Sequence, residues 1–180
     1  QYAASTVRIA VLINEFGTEG VDARLIVPGP HAVYEVNRGS IFCVCVKEDF
    51  IGALEAIAAV NPPFDIVLIE ATGVAQTRNL DACLREYPLG GKIHVVRNYY
   101  LVDAVNFHKV RATLPAAREQ VESADLIVVN KVNLADAQTV RMQESLAREL
   151  NPDAPAVLWD GGEIDVPGLL PPPGAAVRAA

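Results

Sequence analysis

The chain has 180 residues, 51% of them hydrophobic and 21% charged, with a net charge of −7. That length fits one domain with a substantial core, and the composition suits a buried-sheet α/β protein better than a disordered or disulfide-stapled one. The acidic balance argues against nucleic acid or an anionic membrane as the main partner. The three cysteines, Cys43, Cys45 and Cys83, are an odd count with two of them one residue apart. They make a poor disulfide framework and fit a reducing, cytoplasmic setting. No apolar run reaches the length of a membrane span, and the N-terminus lacks the basic-then-apolar layout of a signal peptide.

Taken in chain order, Val7-Arg8-Ile9-Ala10-Val11-Leu12-Ile13 is an apolar run of strand length, as expected for a strand covered on both faces. Phe50, Leu54 and Ile57 then recur at helical spacing. The breaker Asn61-Pro62-Pro63 leads into a second strand, Asp65-Ile66-Val67-Leu68-Ile69, and Leu80, Cys83, Leu84 and Tyr87 mark a second helix. Residues 93–102 contain another strand, and a helix follows that ends near Ala124. Asp125-Leu126-Ile127-Val128-Val129 is a further buried run. Met142, Leu146 and Leu150 define the apolar face of a last helix, before a short strand at Ala156-Val157-Leu158-Trp159. Strands alternating with helices predict an α/β, doubly wound, mainly parallel sheet with helices on both faces. One domain is expected over residues 1–164, with 165–180 as a Pro/Gly-rich linker or tail.

In such sheets ligands bind at the carboxyl ends of the strands, and there the chain places its polar clusters. Asn14-Glu15-Phe16-Gly17 follows the first run, with Asp22 shortly after; Glu70-Ala71-Thr72-Gly73 follows the second; Asn130-Lys131-Val132-Asn133 follows the run ending at Val129. In this order and spacing they resemble the CobW-type metallochaperone GTPases, relatives of the HypB and UreG proteins. The segment holding Asn14, Glu15 and Asp22 is similar to that family's first strand and switch. Glu70 to Gly73 is similar to its Glu-x-x-Gly switch, and Asn130 to Asn133 to its Asn-Lys-x-Asp guanine motif. Leu101-Val102-Asp103-Ala104 resembles its Val-Asp-Ala strand end. The resemblance covers about residues 7–160 and implies a protein that couples binding and hydrolysis of GTP, with Mg²⁺, to delivery of Zn²⁺ or another divalent transition metal. Its implied partner is a client metalloprotein or a second copy of itself.

The implied roles are chemically reasonable. A carboxylate at Glu70 reaches Mg²⁺ through a water, which suits an ion that keeps much of its hydration shell. Gly73 lets a backbone N–H approach a γ-phosphate and register its loss. The stem of Lys131 lies along a flat base while Asn130 braces neighbouring loops.

Three features depart from the family pattern. The 180 residues contain no G-x-x-x-x-G-K-S/T, the loop whose amides and lysine hold phosphates. Gly90-Gly91-Lys92-Ile93 has the Gly-Lys pair without the hydroxyl. Because the chain opens at Gln1, truncation is the favoured explanation, with Gln1-Tyr2-Ala3-Ala4 falling where the helix after that loop would end. The 180-residue chain is therefore expected to bind triphosphate poorly, and calorimetric titration with Mg-GTP showing micromolar or tighter binding would overturn this. Second, Asn133 stands where the base-reading aspartate is expected; its amide offers one acceptor oxygen and presents donors to the donors of guanine. Asp136 lies too far along to substitute directly. Third, aligned on Gly39, Ser40 and Phe42 occupy the places of the family's first two cysteines, leaving Cys43 and Cys45. Two thiolates at that spacing can share a soft ion, but zinc usually takes four ligands. Two cysteines on a strand, one facing the core, is the competing interpretation, and His31, Glu35 and Glu15 are the candidates to complete a metal site. A non-catalytic relative serving as a protein- or metal-binding module is the alternative function.

Overall fold

The computed structural model describes residues 7–14, 31–36, 44–71, 80–87, 89 and 91–161. The expected positions Glu15, Asp22, Cys43 and Gly73, and the tail from Asp165, lie outside the described residues. The described strands are β1 (Ile9–Asn14), β2 (His31–Val36), β3 (Ile66–Glu70), β4 (Tyr99–Asp103), β5 (Leu126–Asn130) and β6 (Ala156–Leu158). The helices are α1 (Val44–Ala58), α2 (Leu80–Arg85), α3 (Phe107–Thr113), α4 (Pro115–Glu122) and α5 (Ala137–Leu150). The chain divides into two compact units, residues 1–75 with 82–93, and residues 76–81 with 94–180. Each holds a three-stranded sheet, ordered β2-β1-β3 in the first and β4-β5-β6 in the second. All four pairings are parallel, as the alternation of strands and helices predicts.

In the first unit β1 is the central strand, and Ile9, Ala10, Leu12 and Ile13 are buried along it. Helix α1 packs against β2 and buries Phe50, Ile51, Leu54 and Ile57. Phe50, Leu54 and Ile57 are the face expected from their spacing, and burying each such side chain stabilises the fold by roughly 1.5–3 kcal/mol. The helix begins earlier than expected, at Val44. Cys45 therefore lies in a helical first turn and not on a strand, which corrects the strand interpretation for Cys45. The approach to β3 is fixed by Arg8. Its backbone N–H donates to the Asp65 carboxylate at 2.7 Å, and its guanidinium lies over the Phe64 ring and donates to the Pro62 and Pro63 carbonyls.

In the second unit β5 is the central strand, and Leu126, Ile127, Val128 and Val129 are all buried. A core forms where Val102, Ile127 and Val129 meet Phe107, Val121, Val140 and Ala147 from the helices. Three expectations need correction here. The single helix expected to end near Ala124 is two helices, because Pro115 occupies the start of α4 and holds Leu114 in an extended conformation (φ −116°, ψ 103°). Helix α2 stops at Arg85, in the first unit, so Tyr87, next to Pro88, is outside it. On α5 the buried positions are Val140, Gln143 and Ala147; Leu146 and Leu150, partly buried, pack against the core as expected, whereas Met142 is 43% exposed.

Two buried amides lock this unit. Gln143, fully buried, accepts the His108 backbone N–H at 2.8 Å and donates to the Val105 carbonyl at 3.2 Å. Its nitrogen also meets His108 Nδ1 at 2.7 Å, which gives His108 an ordinary structural role. Asn151, at the end of α5, donates to the carbonyls of Val121, Glu122 and Ala124 and accepts from the Ala154 N–H. It closes α4, whose last carbonyls have no helical partner.

Candidate functional site

Parallel pairing brings the carboxyl ends of neighbouring strands together, and those ends carry the polar residues. In the first unit Asn14 closes β1 and Glu70 closes β3, with Glu70 paired to Ile13 and exposed to solvent. Among the described residues, no three His, Cys, Asp or Glu side chains form a group suited to a metal ion.

The second unit shows its strand-end chemistry in full. Asp103, the last residue of β4, pairs with Asn130, the last of β5. The Asn130 side chain, expected to brace neighbouring loops, accepts the Lys131 N–H at 2.7 Å. The bridge between the loops is the Asn130 carbonyl, which accepts the Ala104 N–H at 2.9 Å. Lys131 adopts a left-handed conformation with φ 63°, uncommon for a residue with a side chain. From that turn its ammonium reaches back to Asp103 Oδ2 at 3.0 Å. Asp103 Oδ1 meanwhile accepts the N–H groups of Val105 and Asn106 at 2.8 and 3.1 Å. Partial burial pushes the Asp103 carboxyl up, but those two N–H donors and Lys131 outweigh it and hold it below its usual range. The Asp103 carboxylate therefore stays charged through neutral pH and is protonated only as the pH falls below the ordinary carboxylate range.

Beyond Lys131 the chain makes a 3-10 turn, Val132–Leu134, on which Asn133 and Leu134 are exposed. Asp136 then caps α5: Oδ1 accepts the N–H groups of Gln138 and Thr139, and Oδ2 accepts the Thr139 hydroxyl. These bonds hold its carboxyl below the usual range. Both oxygens thus serve the start of α5. Lys92, in the other Gly-Lys pair, sits on an exposed turn with its N–H bonded to the Leu89 carbonyl. No helix follows it before β4, so the segment lacks the layout of a phosphate loop.

Sequence reasoning placed Asn130, Lys131 and Asn133 together on one loop, and they are. It missed the partnership of Asp103 with Lys131, whose only trace was an aspartate closing an apolar run. Asn14 and Glu70 are at strand ends as expected.

Parallel sheets with polar residues at their carboxyl ends define an α/β domain of the nucleotide-binding class. The model of the CobW/HypB/UreG nucleotide-binding domain matches residues 3–158, and the chain belongs to this family. It is 31% identical over 173 residues to the zinc chaperone YjiA of Escherichia coli, covering 91% of this chain and 52% of that protein. It is 28% identical over 202 residues to the zinc chaperone CobW of Pseudomonas aeruginosa, with the same coverage of each. A further relative is the zinc-regulated GTPase metalloprotein activator 1 of Schizosaccharomyces pombe, 28% identical over 172 residues, or 88% of this chain and 40% of that one. Among solved structures, a zinc-bound triple mutant of the YjiA GTPase superposes with a TM-score of 0.64 at 23% identity, covering 92% of this chain and 53% of that chain. This chain thus spans about half the length of the curated relatives it matches. Among the described residues, no helix is long and apolar enough to cross a membrane.

Proposed function

We propose that this chain is the nucleotide-binding part of a GTP-dependent zinc-trafficking protein, acting in the cytoplasm, in which the bound nucleotide governs delivery of the metal to a client metalloprotein. The observation that carries the reading is the strand-end lysine: Lys131 is set in a left-handed turn beside the exposed Asn133, with its ammonium tied to Asp103. That arrangement fits a purine. The long methylene stem offers a flat apolar contact, and Asn133 offers a polar edge beside it.

Glu70, exposed at the end of β3, would hold a hydrated Mg²⁺ through water. The ion would neutralise charge on the phosphates, and the protein's contribution to phosphoryl transfer to water is positioning. Gly73, Asn14, Glu15 and Asp22 would form the switch that responds to the γ-phosphate. Zinc is the cargo, and Cys43 and Cys45 are the thiol ligands proposed to receive it. The client, or a second copy of this chain, would dock across the switch segments. The family names of the relatives support zinc as the cargo.

The test is equilibrium dialysis of zinc against protein produced from the complete reading frame, with and without Mg-GTP. Zinc affinity at micromolar or tighter is expected, with a value that changes when GTP binds and that falls in a Cys43→Ser, Cys45→Ser double variant. Absence of micromolar zinc binding, or a zinc affinity indifferent to nucleotide, would overturn the coupling.

A further inference from the structure

The geometry points to Asp103 as a positioning residue for Lys131: it holds the lysine ammonium at the end of β4, so that the methylene stem stands ready as one wall of a purine subsite. This rests on the guanine-nucleotide reading above and adds to it the residue that presets the base contact.

Lys131 is tied at both ends. Its backbone N–H donates to Asn130 Oδ1 at 2.7 Å, and its carbonyl accepts the Leu134 N–H at 2.9 Å. Its tip is 3.0 Å from Asp103 Oδ2. A free lysine side chain has many rotamers, and ordering one on ligand binding weakens affinity. Here much of that ordering precedes the ligand. Asp103 is itself anchored, because rotating its carboxylate would release the N–H groups of Val105 and Asn106.

The pair is half-exposed, with side-chain accessibilities of 51% for Lys131 and 28% for Asp103. Ion pairs at such sites add little to stability, so its main consequence is placement. It also selects the kind of ligand. With its charge answered by Asp103, Lys131 is a poor site for another phosphate, while its stem remains available to the flat face of a base.

The experiment compares Asp103→Asn with the native sequence, in protein produced from the complete reading frame, by calorimetric titration with GDP and, separately, with inorganic tripolyphosphate. Asparagine keeps an oxygen for the two N–H donors and loses the charge that holds the ammonium. GDP affinity is expected to fall about tenfold, the scale of one charge-assisted hydrogen bond, while tripolyphosphate affinity is unchanged. The thermal midpoint should shift by no more than about 3 °C. In a Lys131→Met background the same substitution should cost no further GDP affinity, since Asp103 acts through the lysine. Equal losses for GDP and tripolyphosphate, an undiminished GDP affinity, or an equal loss in the Lys131→Met background would each overturn the assignment. If the native protein binds GDP no better than tripolyphosphate, the purine reading itself fails, and that outcome is seen before any variant is made.

Discussion

Replacing Asn151 with alanine is expected to lower the free energy of unfolding by about 3 kcal/mol, as the loss of partners for several buried groups. The carboxamide donates to the Val121 carbonyl at 2.8 Å and to the Ala124 carbonyl at 2.9 Å, and it accepts from the Ala154 N–H at 3.1 Å. The Val121 carbonyl keeps the Ala124 N–H at 3.1 Å, so the loss falls mainly on the Ala124 carbonyl and the Ala154 N–H. Each group left buried without a partner costs roughly 1–3 kcal/mol, and the small cavity left by truncation adds to the loss. Urea unfolding followed by circular dichroism measures the change. Asn151→Asp should be at least as damaging: it keeps an acceptor for Ala154 but turns a carboxylate oxygen toward carbonyls that need a donor. A loss below about 1 kcal/mol in the alanine variant would mean that water takes over these bonds.

The second large effect concerns base selection. Asn133→Asp is expected to raise the preference for guanine over xanthine nucleotides by about 10- to 100-fold, which corresponds to exchanging a 1–3 kcal/mol donor–donor mismatch for a matched pair. Aspartate accepts from both N1–H and the 2-amino group of guanine, whereas the amide of Asn133 faces the 2-oxo group of xanthine more comfortably. Asn133 is exposed on its turn, so the substitution has no packing cost to confuse the result. Competition between GDP and XDP on the two forms, in protein from the complete reading frame, is the measurement. An unchanged ratio would remove residue 133 from base reading.

The parts of the fold that were legible in the sequence were those whose signal is local and unmixed. Leu126 to Val129 is apolar at every position, and the strand it forms is buried at every position. The α1 face of Phe50, Leu54 and Ile57 was equally plain. On α5 the apolar count misled. Gln143 is a core residue because its amide satisfies the His108 N–H and the Val105 carbonyl, groups that come close only after folding. Met142, the more hydrophobic choice, is left facing solvent. The split between α3 and α4 had a visible cause in Pro115, and a proline inside an apparently continuous helix warrants a boundary.

The candidate site divides in the same way. Asn130, Lys131 and Asn133 are neighbours in the chain, and their grouping follows from sequence alone. The contact of Lys131 with Asp103 depends on two strands lying parallel and in register, and on a left-handed turn at a lysine. The alternation of strands and helices predicts parallel pairing but not which strands are neighbours or in what register, and lysine carries no special preference for a left-handed turn.

The all-parallel pairing has a further consequence, for the route by which the chain folds. Tyr99 meets Leu126, and Ile127 meets Ala156, only after an intervening segment with its helices has crossed over. No described pair of strands is joined by a tight hairpin, so none can zip from a local turn. Each pairing must close a long loop before it gains a hydrogen bond, which places the protein among slow folders for its size. During that interval the apolar strand β5 is exposed, and it is the segment from which aggregation of nascent chains would start.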